Sequence, residues 1–244
     1  MVEAFHKNGF IHIPSFFTSN ELDEISAATE NLKETHPHEG YYEPSVLNQT
    51  TEILVRMEKI LSWSPDLVTV FSSKKVKALL ENCLQDEPVL FKDKVNFKAP
   101  GNRADLLHQD QQAGWSEYAP YFVSLCVCVD PNTSLNGCLQ LPNVQSYRHH
   151  KKIYGNTENP LETTDVPGLQ LLEYPAEAGD IFVFDSYVPH ASNPNYSEAE
   201  RRNIYLTYNR KSDGNHHSQY YEDKYQTYPP NAMRLAGTSY KYKV

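Results

Sequence analysis

The spacing of apolar residues changes near residue 88 of this 244-residue chain. Before that point they recur mostly every three or four positions, which predicts helices. Residues 1–17 fit a short helix followed by a strand, and residues 50–86 fit a longer helical region. After it, short β-branched and aromatic runs alternate with turn formers, which is typical of strands. The predicted strands are residues 89–91, 94–98, 121–129, 138–141, 169–174, 181–184 and 204–208.

Local signals mark where helices begin. Thr18 and Glu21 have the spacing of a capping box, and Ser64-Pro65 places proline in the first turn of another helix. Helices followed by many short strands predict an all-β core, a sandwich or jelly roll, with flanking N-terminal helices. We expect one domain over residues 1–244, with a mainly helical buttress (1–87), a jelly-roll core (88–210) and a C-terminal wrap (211–244).

Charge and composition narrow the possible partners. The formal net charge of −9 argues against nucleic acid as a partner, and the basic stretch over residues 148–152 is interpreted as a solvated loop. The chain has no run of about 20 apolar residues and no signal-peptide pattern, so we expect a soluble, cytoplasmic or otherwise intracellular protein without a membrane partner. An acidic chain with 17 tyrosines favours a small cation or zwitterion as ligand.

The four cysteines suggest no chemistry of their own. They form no Cys-x-x-Cys pair, and their spacing suits neither a zinc site nor a disulfide framework. Cys126 and Cys128 lie within an apolar run that has the pattern of a strand. We therefore predict buried, reduced thiols.

The most informative polar residues are His108 and Asp110, followed far downstream by His190 and Arg201. Alternate residues of a strand share a face, so His108 and Asp110 are expected to point into one cavity, with Gln109 facing away. Two imidazoles and one carboxylate form the facial triad that holds ferrous iron with open coordination positions. An arginine shortly after the second histidine suits a two-pronged contact with a dicarboxylic cosubstrate.

Each of these residues also has an ordinary interpretation. A lone His-x-Asp arises by chance in a chain with ten histidines, and a lone arginine is usually a surface charge. The remaining histidine groups lie in polar, loop-like stretches and are expected to be solvated. These groups are His36 with His38, His149-His150 and His216-His217. The combined order of the residues along the chain is what favours a metal site.

Several motifs occur in order along most of the chain. They are Asn8-Gly9-Phe10, Lys98-Ala99-Pro100, Leu107-His108-Gln109-Asp110, Asn136-Gly137-Cys138-Leu139, Ala178-Gly179-Asp180 and Pro189-His190-Ala191-Ser192-Asn193-Pro194-Asn195. Together they resemble the phytanoyl-CoA hydroxylase family of Fe(II)/2-oxoglutarate-dependent dioxygenases. The resemblance implies a double-stranded β-helix fold, a cupin-like jelly roll. It also implies that His108, Asp110 and His190 bind iron, that Arg201 binds 2-oxoglutarate, and that Ser192 assists the same carboxylate.

One stretch departs from the family pattern. Where the family often continues from Asn-Gly-x-Leu into Pro-Gly-Ser-His, this chain reads Leu141-Pro142-Asn143. The loop beside the site, and with it the substrate, is therefore expected to differ. Arg202 is an alternative to Arg201, although the spacing from His190 favours Arg201.

These features lead to one expected activity. With Fe(II), 2-oxoglutarate and O2 as cofactors, the enzyme is expected to oxidise a C–H bond of a small molecule, most simply by hydroxylation, and to release succinate and CO2. Asp110 favours hydroxylation over halogenation because it fills the position that a halide would need. The alternatives are a zinc- or manganese-dependent jelly-roll hydrolase or isomerase, desaturation or cyclisation by the same iron chemistry, and a metal-binding protein without catalysis.

The candidate substrate contacts come from two segments. Asn96 and Lys98 lie on a strand that is expected to flank the site, and Gln111 and Trp115 follow Asp110. Residues 111–115 and 220–224 are similar to family members that act on small polar molecules such as 2-aminoethylphosphonate.

Overall fold

Two antiparallel β-sheets face each other in the computed structural model, which describes residues 2–155 and 159–240. The strands are β1 (Phe10–Ile13), β2 (Gly40–Pro44), β3 (Glu52–Glu58), β4 (Pro88–Lys98), β5 (Asp105–His108), β6 (Phe122–Cys128), β7 (Leu139–Pro142), β8 (Leu171–Tyr174), β9 (Ile181–Asp185), β10 (His190–Ser192) and β11 (Arg201–Arg210). The larger sheet has the order β1-β9-β6-β11-β4-β3-β2, and the smaller has the order β5-β10-β7-β8. The expected jelly-roll core is confirmed.

The N-terminal helices pack against the outer face of the larger sheet, whereas the C-terminal helix packs against Phe91, Trp115 and Phe122. The helices are α1 (Val2–Asn8), α2 (Ser19–Thr35), α3 (Ile60–Trp63), α4 (Pro65–Phe71), α5 (Lys74–Leu84) and, at the C-terminal end, α6 (His217–Thr227). The predicted capping box is present, because the Thr18 backbone N–H donates to the Glu21 carboxylate and the Thr18 hydroxyl accepts from the Glu21 N–H. Apolar residues of α1, α2, α4 and α5 form one buried core with the outer residues of β4, β6 and β11.

Residues 52–58 were expected to be helical, and this prediction is wrong. They form β3, which pairs with β2 on one side and with β4 on the other. The first 87 residues also contribute β1, which pairs with β9. The N-terminal region is therefore part of the larger sheet as well as a helical buttress. Pairing with distant strands decides this outcome, and a local apolar pattern does not record it.

The side chains of strand β4 form an apolar face and a polar face. Val95 and Phe97 are fully buried in the core beneath the helices. Lys92, Lys94 and Asn96 alternate with them and line a cavity between the two sheets. A single strand thus serves the stability of the fold on one face and the cavity on the other.

The C-terminal segment, expected to be a surface wrap, is tied into the core by α6. The Tyr221 hydroxyl donates to the backbone carbonyl of Asp93 over 2.8 Å. Lys224 donates to Glu58 over 2.6 Å, and the Nε of Arg56 lies 3.0 Å from the same carboxylate. Glu58 is 1% exposed, so this is a buried ion cluster joining α6 to β3.

The remaining expectations about bulk properties have clear outcomes. All four cysteines are free and buried, as predicted. Within residues 2–155 and 159–240, no helix combines the length and the apolar character needed to cross a membrane.

The buried ion cluster generates a stability prediction. We expect Glu58→Gln to lower the free energy of unfolding by about 3–5 kcal/mol at neutral pH, because Arg56 and Lys224 stay buried without their carboxylate. Burial alone would raise the pKa of Glu58, but Lys224, Lys92 and Arg56 lower it to about 2. Because folding lowers this pKa, the contribution is present above the ordinary glutamate pKa and is lost as the pH falls through about 2.

Urea unfolding at neutral pH and at acidic pH measures both effects, and the difference between wild type and variant should shrink at acidic pH. Glu81→Gln is the control, because Glu81 is exposed and lies 3.7 Å from Lys77. Its replacement should change stability by less than about 0.5 kcal/mol. Equal losses in the two variants would contradict the importance of the buried cluster.

Candidate metal centre and its cavity

His108 and His190 are neighbours on two paired strands. His108 ends β5, His190 begins β10, and the two residues are direct partners in the antiparallel register. The His108 Nδ1 bonds to the Leu106 carbonyl over 2.7 Å, and the His190 Nδ1 bonds to the Val188 carbonyl over 2.9 Å. A carbonyl only accepts, so each Nδ1 carries the proton and each Nε2 keeps a lone pair for a metal ion.

Asp110 joins the histidines from a short 3-10 turn. The sequence predicted that His108 and Asp110 share one strand, but β5 ends at His108 and the turn Asp110–Ala113 follows. Gln109 between them is still extended, and its side chain faces away, as expected. Its amide donates to the carbonyls of Lys152 and Tyr187 and accepts from the backbone N–H of residue 154.

The three side chains surround a common point. The Nε2 atoms of His108 and His190 lie 3.8 Å and 4.0 Å from the Asp110 Oδ1, and the three ligand atoms all lie within 4.8 Å of one another. The two distances to Asp110 are too long for hydrogen bonds, but two atoms that each bind one metal ion at about 2.1 Å lie up to about 4.2 Å apart. This donor set and spacing fit a divalent metal ion. Among the described residues it is the only such cluster.

Burial and neighbouring charges favour the protonation states of His108 and Asp110 that bind a metal ion. Burial and the neighbouring His190 lower the pKa of His108 to about 4, so its ring is neutral near pH 7. Burial alone would raise the pKa of Asp110, but His190, His108 and Lys94 lower it overall, so the carboxyl is ionised. Neutral imidazoles and an ionised carboxylate are the forms that coordinate metals.

A cavity of about 450 Å³ opens beside these three residues. Its size is that of a site for a small molecule. Its charged and polar lining includes Arg56, Lys92, Lys94, Asn96, Arg103, Asp105, Trp115, Ser124, Ser192, Tyr205 and Thr207. Four basic residues thus face a cavity in a chain whose net charge is −9. The overall charge favoured a small cation or zwitterion as ligand, and the local charge of the cavity favours a ligand that carries an anionic group, which a zwitterion also does.

The four predicted substrate contacts differ in their positions. Asn96 and Trp115 line the cavity, and Lys98 lines a smaller adjoining one of about 30 Å³. Gln111 does not line either cavity. It is 1% exposed, and its amide bonds to Ser116, to Ser186 and to the carbonyl of residue 119. The 3-10 turn after Asp110 directs Gln111 into the protein, which makes it a structural residue.

Sequence reasoning missed several residues of the cavity. Arg56 lay in a region expected to be helical, and Lys92 lay between two predicted strands that are one strand, β4. The alternation of Lys92 with Lys94, Asn96 and Lys98 was the signal that could have revealed a polar strand face. Tyr205 belongs to the predicted strand over 204–208, but its role in the lining depends on the position of the smaller sheet.

Arg201 and Ser192 lie at one end of the site. The Ser192 hydroxyl donates to Asp105 over 2.6 Å and accepts from Lys98 over 2.5 Å, and Lys98 lies 3.2 Å from Asp105. Arg201 is 2% exposed, lines the smaller cavity and is opposite Lys98 in the sheet. The Nη1 of Arg201 donates to the side-chain oxygen of Asn132.

The charge of Arg201 lacks an acidic partner. It forms no ion pair with any residue in the described parts of the chain, and its Nε has no hydrogen-bond partner there. A buried guanidinium without a carboxylate is costly unless an anion is bound. Arg202, one residue on, faces the other side of the sheet and pairs with Asp130 and Glu30.

The other histidine groups correct one expectation. His149 was expected to be solvated, but its side chain is 6% exposed and its Nε2 lies 2.9 Å from Asp185. His217 is similarly placed 2.9 Å from the buried Asp93. Both rings are held by single carboxylates that are distant in sequence, which is why a polar local context suggested solvation.

Several known proteins are similar to this chain in sequence or in fold. A family model described as Phytanoyl-CoA dioxygenase (PhyH) matches residues 5–203. A 2-aminoethylphosphonate dioxygenase from Uncultured bacterium HF130_AEPn_1 is 30% identical over 96% of this chain and 89% of that protein. A methylphosphonate hydroxylase from Gimesia maris is 27% identical over 93% and 86%. The epimerase SnoN, solved with Fe3+, alpha ketoglutarate and nogalamycin RO, shares the fold, with a TM-score of 0.72 and 16% identity over 98% of this chain and 90% of that chain.

Proposed function

The chain belongs to the phytanoyl-CoA dioxygenase family and is an Fe(II)- and 2-oxoglutarate-dependent dioxygenase, and from this premise we propose a task for each residue of the site and a class of substrate. The reaction oxidises a C–H bond of a small molecule and releases succinate and CO2. The metal ion, the cosubstrate and O2 supply the oxidising chemistry, and the protein supplies position, charge and exclusion of water. In this proposal residues 1–244 form one catalytic domain.

We assign the iron to His108, Asp110 and His190. The observation that carries this assignment is the meeting of their three ligand atoms, within 4.8 Å of one another, beside a cavity lined by basic side chains. The backbone bonds of both histidines leave Nε2 as the ligand atom in each ring. A zinc or manganese hydrolase is not favoured, because the family and the relatives are dioxygenases.

We assign the distal carboxylate of 2-oxoglutarate to Arg201, with help from Ser192. Support comes from the buried guanidinium that has no carboxylate partner among the described residues. Planar guanidinium groups bind carboxylates through two parallel hydrogen bonds. Asp105 already accepts bonds from Ser192 and Lys98, so the cosubstrate carboxylate would share these donors with it.

We propose that the substrate is a small organic oxyanion of phosphorus, an alkylphosphonate. The relatives are named for 2-aminoethylphosphonate and methylphosphonate. Support in this chain comes from Arg56, Lys92, Lys94 and Arg103, which face one small cavity. Phosphonate oxygens are strong acceptors for such cations. A coenzyme A thioester, by contrast, would leave most of its bulk outside a cavity of about 450 Å³.

The metal assignment predicts that Asp110→Asn and His108→Ala each lower succinate release at least about 100-fold, since each removes a direct ligand. Calorimetry with Mn(II) should show lost metal binding, while the unfolding transition of the metal-free protein persists. His150→Gln, at an exposed histidine outside the cluster, is the control and should behave as wild type. Full succinate production by Asp110→Asn would remove Asp110 from the ligand set.

The cosubstrate assignment predicts a contrast between two adjacent arginines. Arg201→Gln should raise the KM for 2-oxoglutarate about 10- to 100-fold, because it removes charge-assisted hydrogen bonds worth about 1.5–3 kcal/mol each. Arg202→Gln should leave this KM within about twofold, because Arg202 binds Asp130 on the opposite face. The reverse result in steady-state kinetics would shift the assignment by one residue.

The substrate assignment predicts which molecules stimulate succinate release. Methylphosphonate and 2-aminoethylphosphonate should do so, whereas amino acids and acyl-coenzyme A thioesters should leave the release at its background rate. Mass spectrometry of the product distinguishes hydroxylation, which adds one oxygen atom, from desaturation or cyclisation, which removes two hydrogens. Stimulation by an acyl thioester alone would contradict the phosphonate proposal.

A further inference from the structure

Lys92 is one of the four cations of the cavity, and it has no acidic partner or hydrogen bond among the residues that the structure describes. It is 7% exposed, it lies on the inner face of β4, and it lines the cavity. Its Nζ lies 5.4 Å from the ring centre of Trp115 and 5.5 Å from that of Tyr220.

This arrangement leaves the charge of Lys92 incompletely satisfied. An ammonium group has three N–H donors, and aromatic faces stabilise its charge without accepting directed hydrogen bonds as oxygen atoms do. Two carboxylates act on it electrostatically: Glu58, which is already ion-paired with Lys224 and Arg56, and Asp110, which belongs to the metal cluster. A buried cation in this position calls for an anion from outside the protein.

The sheet register places Lys92 at the level of the candidate metal ligands. Lys92 is opposite Thr207 on β11, and Thr207 is opposite Ser124 on β6. The Ser124 hydroxyl lies 2.8 Å from the Thr207 hydroxyl and 3.5 Å from the Asp110 carboxylate. One row of polar side chains therefore runs across three strands from Lys92 to Asp110.

The cosubstrate end of the site is far from this row. Lys98, opposite Arg201, is six residues further along β4, which corresponds to about 20 Å of strand. The two cationic positions, Lys92 and Arg201, are therefore about 20 Å apart along the sheet. If Arg201 takes the distal carboxylate of 2-oxoglutarate, Lys92 is available for the second ligand of the reaction, whereas Arg56 is paired with Glu58 and Arg103 with Glu43.

We propose that Lys92, above the ring of Trp115, binds the tetrahedral oxyanion of the substrate and determines specificity for an alkylphosphonate. The proposal rests on the function proposed above and names the residue that recognises this substrate. The oxyanion end dominates recognition, because the described lining of the cavity offers only two carboxylates, Asp105 and Asp110. Asp105 is bonded to Ser192 and Lys98, and Asp110 belongs to the metal cluster. A substrate ammonium therefore has no uncommitted carboxylate to bind.

A binding experiment tests the position without requiring turnover. The chain has two tryptophans, Trp63 and Trp115, so the Trp63→Phe variant reports on Trp115 alone. With Mn(II) and 2-oxoglutarate bound under anaerobic conditions, methylphosphonate should change the fluorescence of Trp115 in a saturable way. The change should be lost, or moved to at least tenfold higher concentration, when Lys92→Gln is added. A saturable change of equal affinity with and without Lys92, or no binding by fluorescence and calorimetry, would overturn the proposal.

Kinetics separate recognition from a structural role. Lys92→Gln should raise the KM for methylphosphonate roughly 10- to 100-fold, as expected for a lost charge-assisted contact. The KM for 2-oxoglutarate should stay within about twofold, and Lys92→Arg should restore part of the affinity for methylphosphonate. An equal rise in the 2-oxoglutarate KM would instead assign Lys92 to the cosubstrate.

Lys59→Gln is a matched control for the loss of an aromatic-bound lysine. Lys59 lies 5.6 Å from the rings of Tyr221 and Tyr225 on the same helix, α6, and does not line the cavity. The Lys59→Gln variant should leave the KM for methylphosphonate and the KM for 2-oxoglutarate unchanged. If Lys59→Gln raised the methylphosphonate KM as much as Lys92→Gln, the effect would come from the packing of α6, and the proposal would fail.

Paired substrates test the claim about the ammonium. Ethylphosphonate and 2-aminoethylphosphonate differ by one amino group, and their kcat/KM values should agree within about tenfold, since no carboxylate is reserved for the amine. A preference of more than about a hundredfold for the amino compound would show that a contact to the ammonium dominates. Failure of the proposed function would give a different result: the wild type would release no succinate from 2-oxoglutarate with any substrate.

Discussion

The site depends on one detail of strand pairing, the register that makes His108 and His190 direct partners. Side chains alternate along a strand, so a shift of one residue would turn one histidine to the opposite face of the smaller sheet. The chain secures this register close by. Gly137, with φ of +72°, lies where a Cβ would come within 2.1 Å of the Asn193 carbonyl oxygen, just after β10. Only glycine permits β10 to lie this close to the turn before β7.

The two faces of the larger sheet carry out separate tasks. Its outer face is an apolar core shared with the helices, and this burial supplies most of the driving force for folding. Its inner face carries buried polar groups, among them Lys92, Ser124, Arg201 and Thr207. Such groups cost stability unless they are paired. The fold therefore supports a polar interior only because the opposite face, one residue away on every strand, is packed with apolar side chains.

The sequence predicted what depends on neighbours along the chain. The capping box at Thr18, the helix start at Ser64 and the opposite orientation of Gln109 all follow from short patterns. The candidate metal cluster of His108, Asp110 and His190 was predicted instead from the order of several motifs along the chain. Contacts between distant segments were not predictable in this way. Residues 52–58 form a strand because they pair with β4. The side chain of His149 is largely buried, and its Nε2 lies 2.9 Å from the Asp185 carboxylate.

Gln111 and Lys92 show the same limit within the site. Gln111 follows Asp110 in sequence, yet the 3-10 turn directs its amide to Ser116 and Ser186. The alternation of Lys92 with Lys94 and Asn96 indicates a polar strand face, but it does not distinguish a face that lines a cavity from one that meets solvent. Only the pairing of β4 with β11 shows that Lys92 faces inward.

The contrast between an acidic chain and a basic cavity affects how ligands arrive. The net charge of −9 already includes the cations of the cavity, so the rest of the protein is more negative than this total. A dianion in solution is therefore repelled at long range and attracted only after it has entered. Dissolved salt screens exposed charges beyond about 10 Å at 0.1 M and screens buried ones much less. Moderate ionic strength should thus speed the capture of anionic ligands, the opposite of the trend for enzymes that draw their substrates in by long-range attraction.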